Sequence, residues 1–369
     1  MKVKCIIISL FCLSVIQSTL AQSGNEWPIY RGDQSLKGVA NIDIPDAPKV
    51  LWISKMASGT KSSPVIADKK IFIGSEDGTL YCLDFAGKVI WKFESKNTIE
   101  GPPLYHKKRI YFGTMEGELF ALDATTGKQF WKYQTEGRIM GSPNYFYTNK
   151  TLKLIVGSYD YSLHCVDGVT GKPEWKYTSD NYVHSAAAVA GNYTAFGGCD
   201  GHLHVVDLNT GKLKHKMNMS TYIASSATLE GNLAYFGDYE GIFACVDYQS
   251  QQVKWKKKGG GSFVSSPAVS KEKVIIGSEN HNVYCFDKKE GTLLWNFKTL
   301  GRFSGSPVIT NDRVAVACGD GRLYVLEIDN GKKVWSYDMG NPSSSTPAII
   351  EGIMVVATED GHVFGFDLK

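Results

Sequence analysis

Three things are scarce in this 369-residue sequence: excess charge of one sign, paired cysteines and long apolar runs. Lys and Arg number 40 against 37 Asp and Glu, a formal charge of +3, so the chain has no field with which to gather nucleic acid or an anionic membrane surface. After Ala21 no apolar run approaches the roughly 20 residues that cross a bilayer. No stretch after that point shows apolar residues at a helical period long enough for a packed helix. No two of the eight cysteines are adjacent.

The apolar run that does exist lies at the start. In MKVKCIIISLFCLSVIQSTLAQS, Lys2 and Lys4 precede an apolar stretch from Cys5 to Ile16, and Thr19 and Ala21 stand three and one before a cleavage point. This spacing predicts an export signal over residues 1–21 and a periplasmic or secreted protein. Cys12 follows the bulky Phe11, so a lipid anchor is not expected. Residues 22–48 then form a segment carrying WPIYRGD (27–33), and residues 49–369 a single repetitive domain.

What the domain has in abundance is one sentence repeated. SEDGTLYCLDFAGKVIW (75–91) returns as TMEGELFALDATTGKQFW (114–131) and SENHNVYCFDKKEGTLLW (278–295). The aligned acidic residues are Asp84, Asp123, Asp167, Asp207, Asp247, Asp287, Glu327 and Asp367. Their intervals are 39 or 40 residues, except one of 44 that contains the loop YFYTNKTLK (145–153). Each copy reads as four short β-branched and aromatic runs separated by Asp-Gly and Gly-Lys turns, whose residues supply the positive φ of tight hairpins. Eight copies of four antiparallel strands with no helix between them predict an all-β, eight-bladed β-propeller.

The tryptophans predict how the ring closes. Trp52, Trp91, Trp131, Trp175, Trp255, Trp295 and Trp335 fall at one repeat position, with His215 at the same position in another copy. The copy ending at Asp367 has no Trp strand after it, whereas KVLWISKM (49–56) is a Trp strand with no partners before it. The early strand therefore completes the last blade, which removes an open sheet edge. A chain begun at Gly59 should fail to close, and one begun at Pro45 should remain stable. Trp27 is left without a place in the repeat.

Cys82, Cys165, Cys245 and Cys285 each stand two residues before an aligned Asp. Equivalent positions lie a blade apart, beyond the roughly 7 Å over which Cα atoms can be bridged, so these thiols are expected to be free and buried. For Cys199 and Cys318 a bridge and a reactive thiol both stay open.

The string of a small residue, x, Asp, three residues, Gly-Lys and Trp, as in ALDATTGKQFW (121–131), resembles the tryptophan-docking repeat of the pyrroloquinoline quinone-type propellers over residues 49–369. WPIYRGD resembles the opening of cofactor-free exported members, such as the propeller subunit of the outer-membrane barrel-assembly machinery. The resemblance implies docking plates for the seven tryptophans and an exported, non-enzymatic scaffold that binds a protein partner, in envelope or outer-membrane protein assembly. Its alternative is a small pyrroloquinoline quinone-dependent oxidoreductase using calcium. The alcohol-oxidising members stack the quinone between a funnel Trp and a ring of two adjacent disulfide-linked cysteines, and this sequence has neither. No cofactor and no metal are therefore expected. His215 for Trp, Gln251 for the turn Gly and Glu327 for Asp depart from the repeat.

The acidic residues at the second-to-third strand hairpins, Asp77, Glu116, Asp160, Asp200, Glu240, Asp320 and Asp360, recur once per blade and read as turn chemistry rather than metal ligands. Variation between copies is concentrated in the loops that enter each inner strand. There Lys61, Glu100, Arg138, Tyr182, His184, Tyr222 and Arg302 are the candidates for a partner-binding surface, because loop positions are free to vary while framework positions are pinned by packing. Ser185 follows His184 directly, so the two side chains point apart on an extended segment and make no nucleophile–base pair.

Overall fold

The structure, a computed structural model, describes residues 24–369. The expected export signal over 1–21 lies outside the described residues. Among the described residues there are 32 strands and no helix, arranged as eight four-stranded antiparallel sheets. After β1 (Lys49–Lys55), the first blade runs from its inner strand β2 (Val65–Ala67) through β3 (Lys70–Gly74) and β4 (Thr79–Leu83) to its outer strand β5 (Val89–Glu94). The hairpin between β3 and β4 turns at Gly78, whose φ of 81° only glycine adopts readily. β2 and β4 are buried along their whole length, because neighbouring blades cover both faces.

The ring closes as the tryptophan positions predicted. The last blade contains β30 (Ala348–Ile350), β31 (Ile353–Ala357) and β32 (His362–Asp367), and β1 pairs antiparallel with β32, from Lys49 opposite Asp367 to Lys55 opposite His362. In all eight blades the register slips by one at the residue before the Trp position, a bulge that blunts the exposed outer edge.

The seven tryptophans dock from one blade onto the next. Six of them lie directly over the turn glycine of the following blade, where an added Cβ would meet the indole at 2.4–2.8 Å: Gly87 under Trp52, Gly127 under Trp91, Gly171 under Trp131, Gly211 under Trp175, Gly291 under Trp255 and Gly331 under Trp295. The indole N–H of Trp52, Trp91, Trp175, Trp255 and Trp295 donates to a backbone carbonyl 33 residues on. Trp131 lies within the long interval, ahead of its loop, and its buried N–H finds no acceptor. Here the carbonyl of Gly168 accepts the Tyr111 hydroxyl at 3.0 Å instead.

Two of the sequence departures turn out to be one. By the same spacing, the turn position that faces His215 is residue 251, where Gln251 keeps the positive φ of 59° but carries a side chain. A full indole has no flat glycine to lie on there, and the smaller imidazole takes its place. Glu327 is explained separately. In the other turns the Asp carboxylate accepts amides two or three residues on, as Asp123 does from Thr125 and Thr126. Glu327 instead accepts from the Asn330 side chain, whose oxygen in turn takes the Lys332 amide.

The segment read as preceding the propeller is inside it. Residues 24–42 circle the axis and bond every blade at its inner strand, or in the last blade at the turn that follows it. The carbonyl of Gly24 accepts from Glu351 in the last blade, Trp27 pairs in both directions with Ile66 in the first, and Pro28 accepts from Tyr105 in the second. The Gln34 side chain donates to the carbonyl of Tyr145, and the carbonyls of Gln34, Ser35, Lys37 and Gly38 accept from Val189, Leu229, Val269 and Ile309 in turn. Trp27, Ile29, Arg31 and Leu36 are fully buried by this strap. Arg31 donates to the carbonyls of Pro307 and Pro267, both at 2.6 Å. Burial draws its pKa down to about 10, so the guanidinium stays charged at neutral pH and its two bonds are charge-assisted.

Candidate functional site

The loops that lead from each outer strand to the next inner strand, together with the second-to-third strand hairpins, form one face of the ring. At its centre is a funnel of about 190 Å³, floored by Tyr30 of the strap. The Tyr30 hydroxyl lies 3.0 Å from Ser306 Oγ and 3.3 Å from Ser266 Oγ. Small residues precede each inner strand, and their hydroxyls form a belt around the wall. The amides of Ala186, Ser226, Ser266, Ser306 and Thr346 donate to Ser226, Ser266, Ser306, Thr346 and Ser63 respectively, each one blade on. The belt breaks over the second and third blades, because Pro102 has neither amide hydrogen nor hydroxyl and Ala186 has no hydroxyl.

Three of the sequence candidates meet at this funnel. Lys61 Nζ and Glu100 Oε1 pair at 3.0 Å across adjacent blades, and the hydrogen bond raises the Lys61 pKa. His184 lines the wall at the entry to the fourth blade, where burial lowers its pKa and favours the neutral ring. Its Nδ1 lies 2.6 Å from the Tyr159 hydroxyl, whose own pKa burial pushes up to about 12.

Outside the funnel, above the second and third blades, is a larger cleft of about 500 Å³, lined by Met115, Glu116, Glu136, Arg138, Tyr159 and Tyr182. Tyr159 and Tyr182 stack at 4.4 Å and 18°, and Tyr161 braces Tyr182 at 5.1 Å. Tyr222 stands on the neighbouring blade with Tyr239 edge-on at 6.5 Å, both about half exposed. Arg302 is exposed on the far side of the ring and joins neither cavity. The structure thus brings Lys61, Glu100 and His184 to the funnel and Arg138 and Tyr182 to the cleft, with Tyr222 beside them. Sequence reading missed Tyr30, Tyr159 and Tyr161. Tyr159 and Tyr161 flank Asp160 in a hairpin, and aligning those hairpins as closely as the strand-entry loops would have exposed them.

The repeated hairpin acids behave as turn residues: Asp77, Asp160, Asp200 and Asp320 each accept the amide two residues on. In two blades the acid also carries a buried histidine. His164 Nε2 lies 2.8 Å from Asp160 and its Nδ1 3.0 Å from the Tyr133 hydroxyl, and His204 repeats this with Asp200 at 3.0 Å and Tyr177 at 2.9 Å. Burial opposes the charge on Asp160 and Asp200, but the histidine hydrogen bond and charge, together with a backbone amide and a further nearby cation, outweigh it and hold both carboxyls below the usual range. Among the described residues no group of three His, Cys, Asp or Glu converges as a metal cluster would. All six described cysteines are unbridged, Cys199 and Cys318 included.

The family of outer membrane protein assembly factor BamB matches this chain over residues 39–145, 99–297 and 279–369. No curated protein sequence matches it. Among solved structures, BamB from Moraxella catarrhalis superposes with a TM-score of 0.75 at 19% identity, covering 88% of this chain and 98% of that one. Quinohemoprotein alcohol dehydrogenase from Comamonas testosteroni gives 0.79 at 14% identity, over 93% of this chain and 80% of that one. The computationally designed Ika8 protein gives 0.76 at 15%, over 87% and 100%. At such identities the likeness shows the shared fold alone.

Proposed function

We propose, for a chain that belongs to the family of outer membrane protein assembly factor BamB, that the ring is a non-enzymatic scaffold working outside the cytoplasm, which holds a protein partner on its funnel face and serves envelope or outer-membrane protein assembly. The observation that carries this reading is the strap. The channel is filled by the chain's own residues, with Arg31 and Tyr30 bonded to the wall, and what remains is a funnel walled mostly by small residues, with Tyr30 at its floor and Lys61, Glu100 and His184 at its wall. Among the described residues no tryptophan lines this funnel for a quinone to stack on, and the sequence has no adjacent cysteines to form the opposing ring. The variable residues Lys61, Glu100, Arg138, Tyr182, His184, Tyr222 and Arg302 instead lie around one accessible face, with tyrosine and arginine, the residue types that anchor protein interfaces, among them.

Two experiments test the reading. Capture from the envelope fraction should enrich a defined protein with the wild-type chain, and Lys61→Glu or Arg302→Glu should weaken that capture without lowering the melting temperature. Titration with pyrroloquinoline quinone and Ca²⁺, followed by tryptophan fluorescence, should give no saturable change. A one-to-one quench would replace the scaffold by the quinoprotein oxidoreductase.

A further inference from the structure

We infer that the cleft above the second and third blades is a binding site for a pyranose oligosaccharide. One wall is a pre-built aromatic platform. The Tyr159–Tyr182 stack is held by Tyr161 from one side and by the Tyr159 hydroxyl at His184 Nδ1, so little side-chain freedom is left to lose on binding. The floor is equally fixed. An added Cβ on Gly137 would meet the backbone of Asp160 and Tyr159 at 2.4–2.5 Å, so the two loops touch main chain to main chain.

The other wall selects the chemistry. Glu116, Glu136 and Arg138 line the cleft, and none spends its charged group on an ion pair or hydrogen bond within the protein. An anion entering here meets two carboxylates, and a cation meets a guanidinium. A wholly apolar ligand would strip water from all three without replacing its hydrogen bonds. A neutral polyhydroxylated ring satisfies each group. Its hydroxyls donate to the carboxylates and accept from the guanidinium, while its C–H face packs on the tyrosines. The arrangement occurs once in the ring. An arginine recurs at the Arg138 position in Arg302 and a tyrosine at the Tyr159 position in Tyr239, but Arg302 is followed by Gly319 and Pro342 at the Tyr159 and Tyr182 positions, and Tyr239 stands between Tyr222 and Ser262, so Arg, Tyr and Tyr come together only here.

The test uses the full chain with chitotriose and maltotriose as probes in isothermal titration and saturation-transfer NMR. At least one trisaccharide should bind at a single saturable site. Tyr182→Ala and Glu136→Gln should each weaken binding roughly tenfold, about 1.4 kcal/mol. Tyr182→Phe should retain it, Arg302→Ala on the far side should leave it unchanged, and none of the four should lower the melting temperature appreciably. No saturable binding of either sugar overturns the inference, as does binding that survives Tyr182→Ala and Glu136→Gln. Loss of protein capture in Tyr182→Ala, with no sugar bound by the wild type, also overturns it and assigns the cleft to the protein partner. The titration needs no partner protein, so its failure leaves the scaffold reading standing.

Discussion

The ring is closed twice, at its rim and at its axis, and the two closures are built in opposite ways. At the rim, β1 completes the last blade and the joints between blades use the same tryptophan and turn glycine, with local substitutes such as His215 and Gln251. At the axis, a segment that occurs once in the chain reaches all eight blades, mostly through main-chain bonds. A rim joint links two neighbours, as in other repeat architectures whose stability is a sum of nearest-neighbour terms. The strap links all blades at once. The rim therefore supplies local stability, and the axis supplies cooperativity.

Removing each closure separates these roles, with the largest effect expected for both together. A chain begun at Gly59 lacks strap and β1 and should show no cooperative thermal transition. A chain begun at Pro45 keeps β1, and from the sequence it was expected to be stable. The strap changes that expectation: its loss uncovers inner-strand amides in blade after blade, and the chain should fold but melt lower and over a broader range. Equal melting of this chain and the full chain would show that the strap adds nothing.

Single side chains sharpen the comparison. Trp27→Ala at the axis and Trp295→Ala at the rim each remove a buried indole and should each cost about 3–5 kcal/mol. His215→Ala, at the one joint without an indole, should cost about 1 kcal/mol. Urea melts would measure all three, and a rim tryptophan no more costly than His215 would dismiss the docking role. Acid should act on the third and fourth blades. The carboxyls of Asp160 and Asp200 ionise more readily in the folded ring than in the unfolded chain. Their contribution is complete above their unfolded pKa of about 3.9 and is lost as pH falls through the lower folded values. Asp200→Asn should therefore lower the melting temperature at neutral pH and narrow its gap to wild type on acidification. The smallest effect is expected at the odd joint. His215→Trp alone should not stabilise, because Gln251 occupies the docking surface, whereas His215→Trp with Gln251→Gly should gain about 1 kcal/mol, a coupling that a double-mutant cycle isolates.

The rim was legible in the sequence because a repeat advertises its own framework: one aligned acid and one aligned tryptophan gave the blade count, the strand order and the role of residues 49–55. The strap was not legible, since most of its bonds come from backbone groups that any residue carries, and only the unassigned Trp27 hinted at a buried site. The partnership of His215 with Gln251 was hidden for a different reason. Each was visible as a departure, but the geometry that sets a tryptophan against the turn of the following blade had to be seen first. The candidate face was read as a set of varying loops, without the pairing of Lys61 and Glu100 across two blades. Its tyrosine cleft was not, because Tyr159 and Tyr182 come from different loops and meet only when the third and fourth blades pack.

A unit of 40 residues repeated in tandem is open to gain or loss of one copy when its gene recombines. Most propeller joints would tolerate that, since each blade recognises only the next. The strap does not, because its residues are spaced to meet one inner strand after another around a circle of fixed circumference, from Gly24 on the last blade to Gly38 on the seventh. In a ring of seven or nine, donors and acceptors would fall out of step and the segment would meet its own start too early or too late. The strap is in this sense a gauge of copy number, written once, against which a ring that copies itself is held to eight.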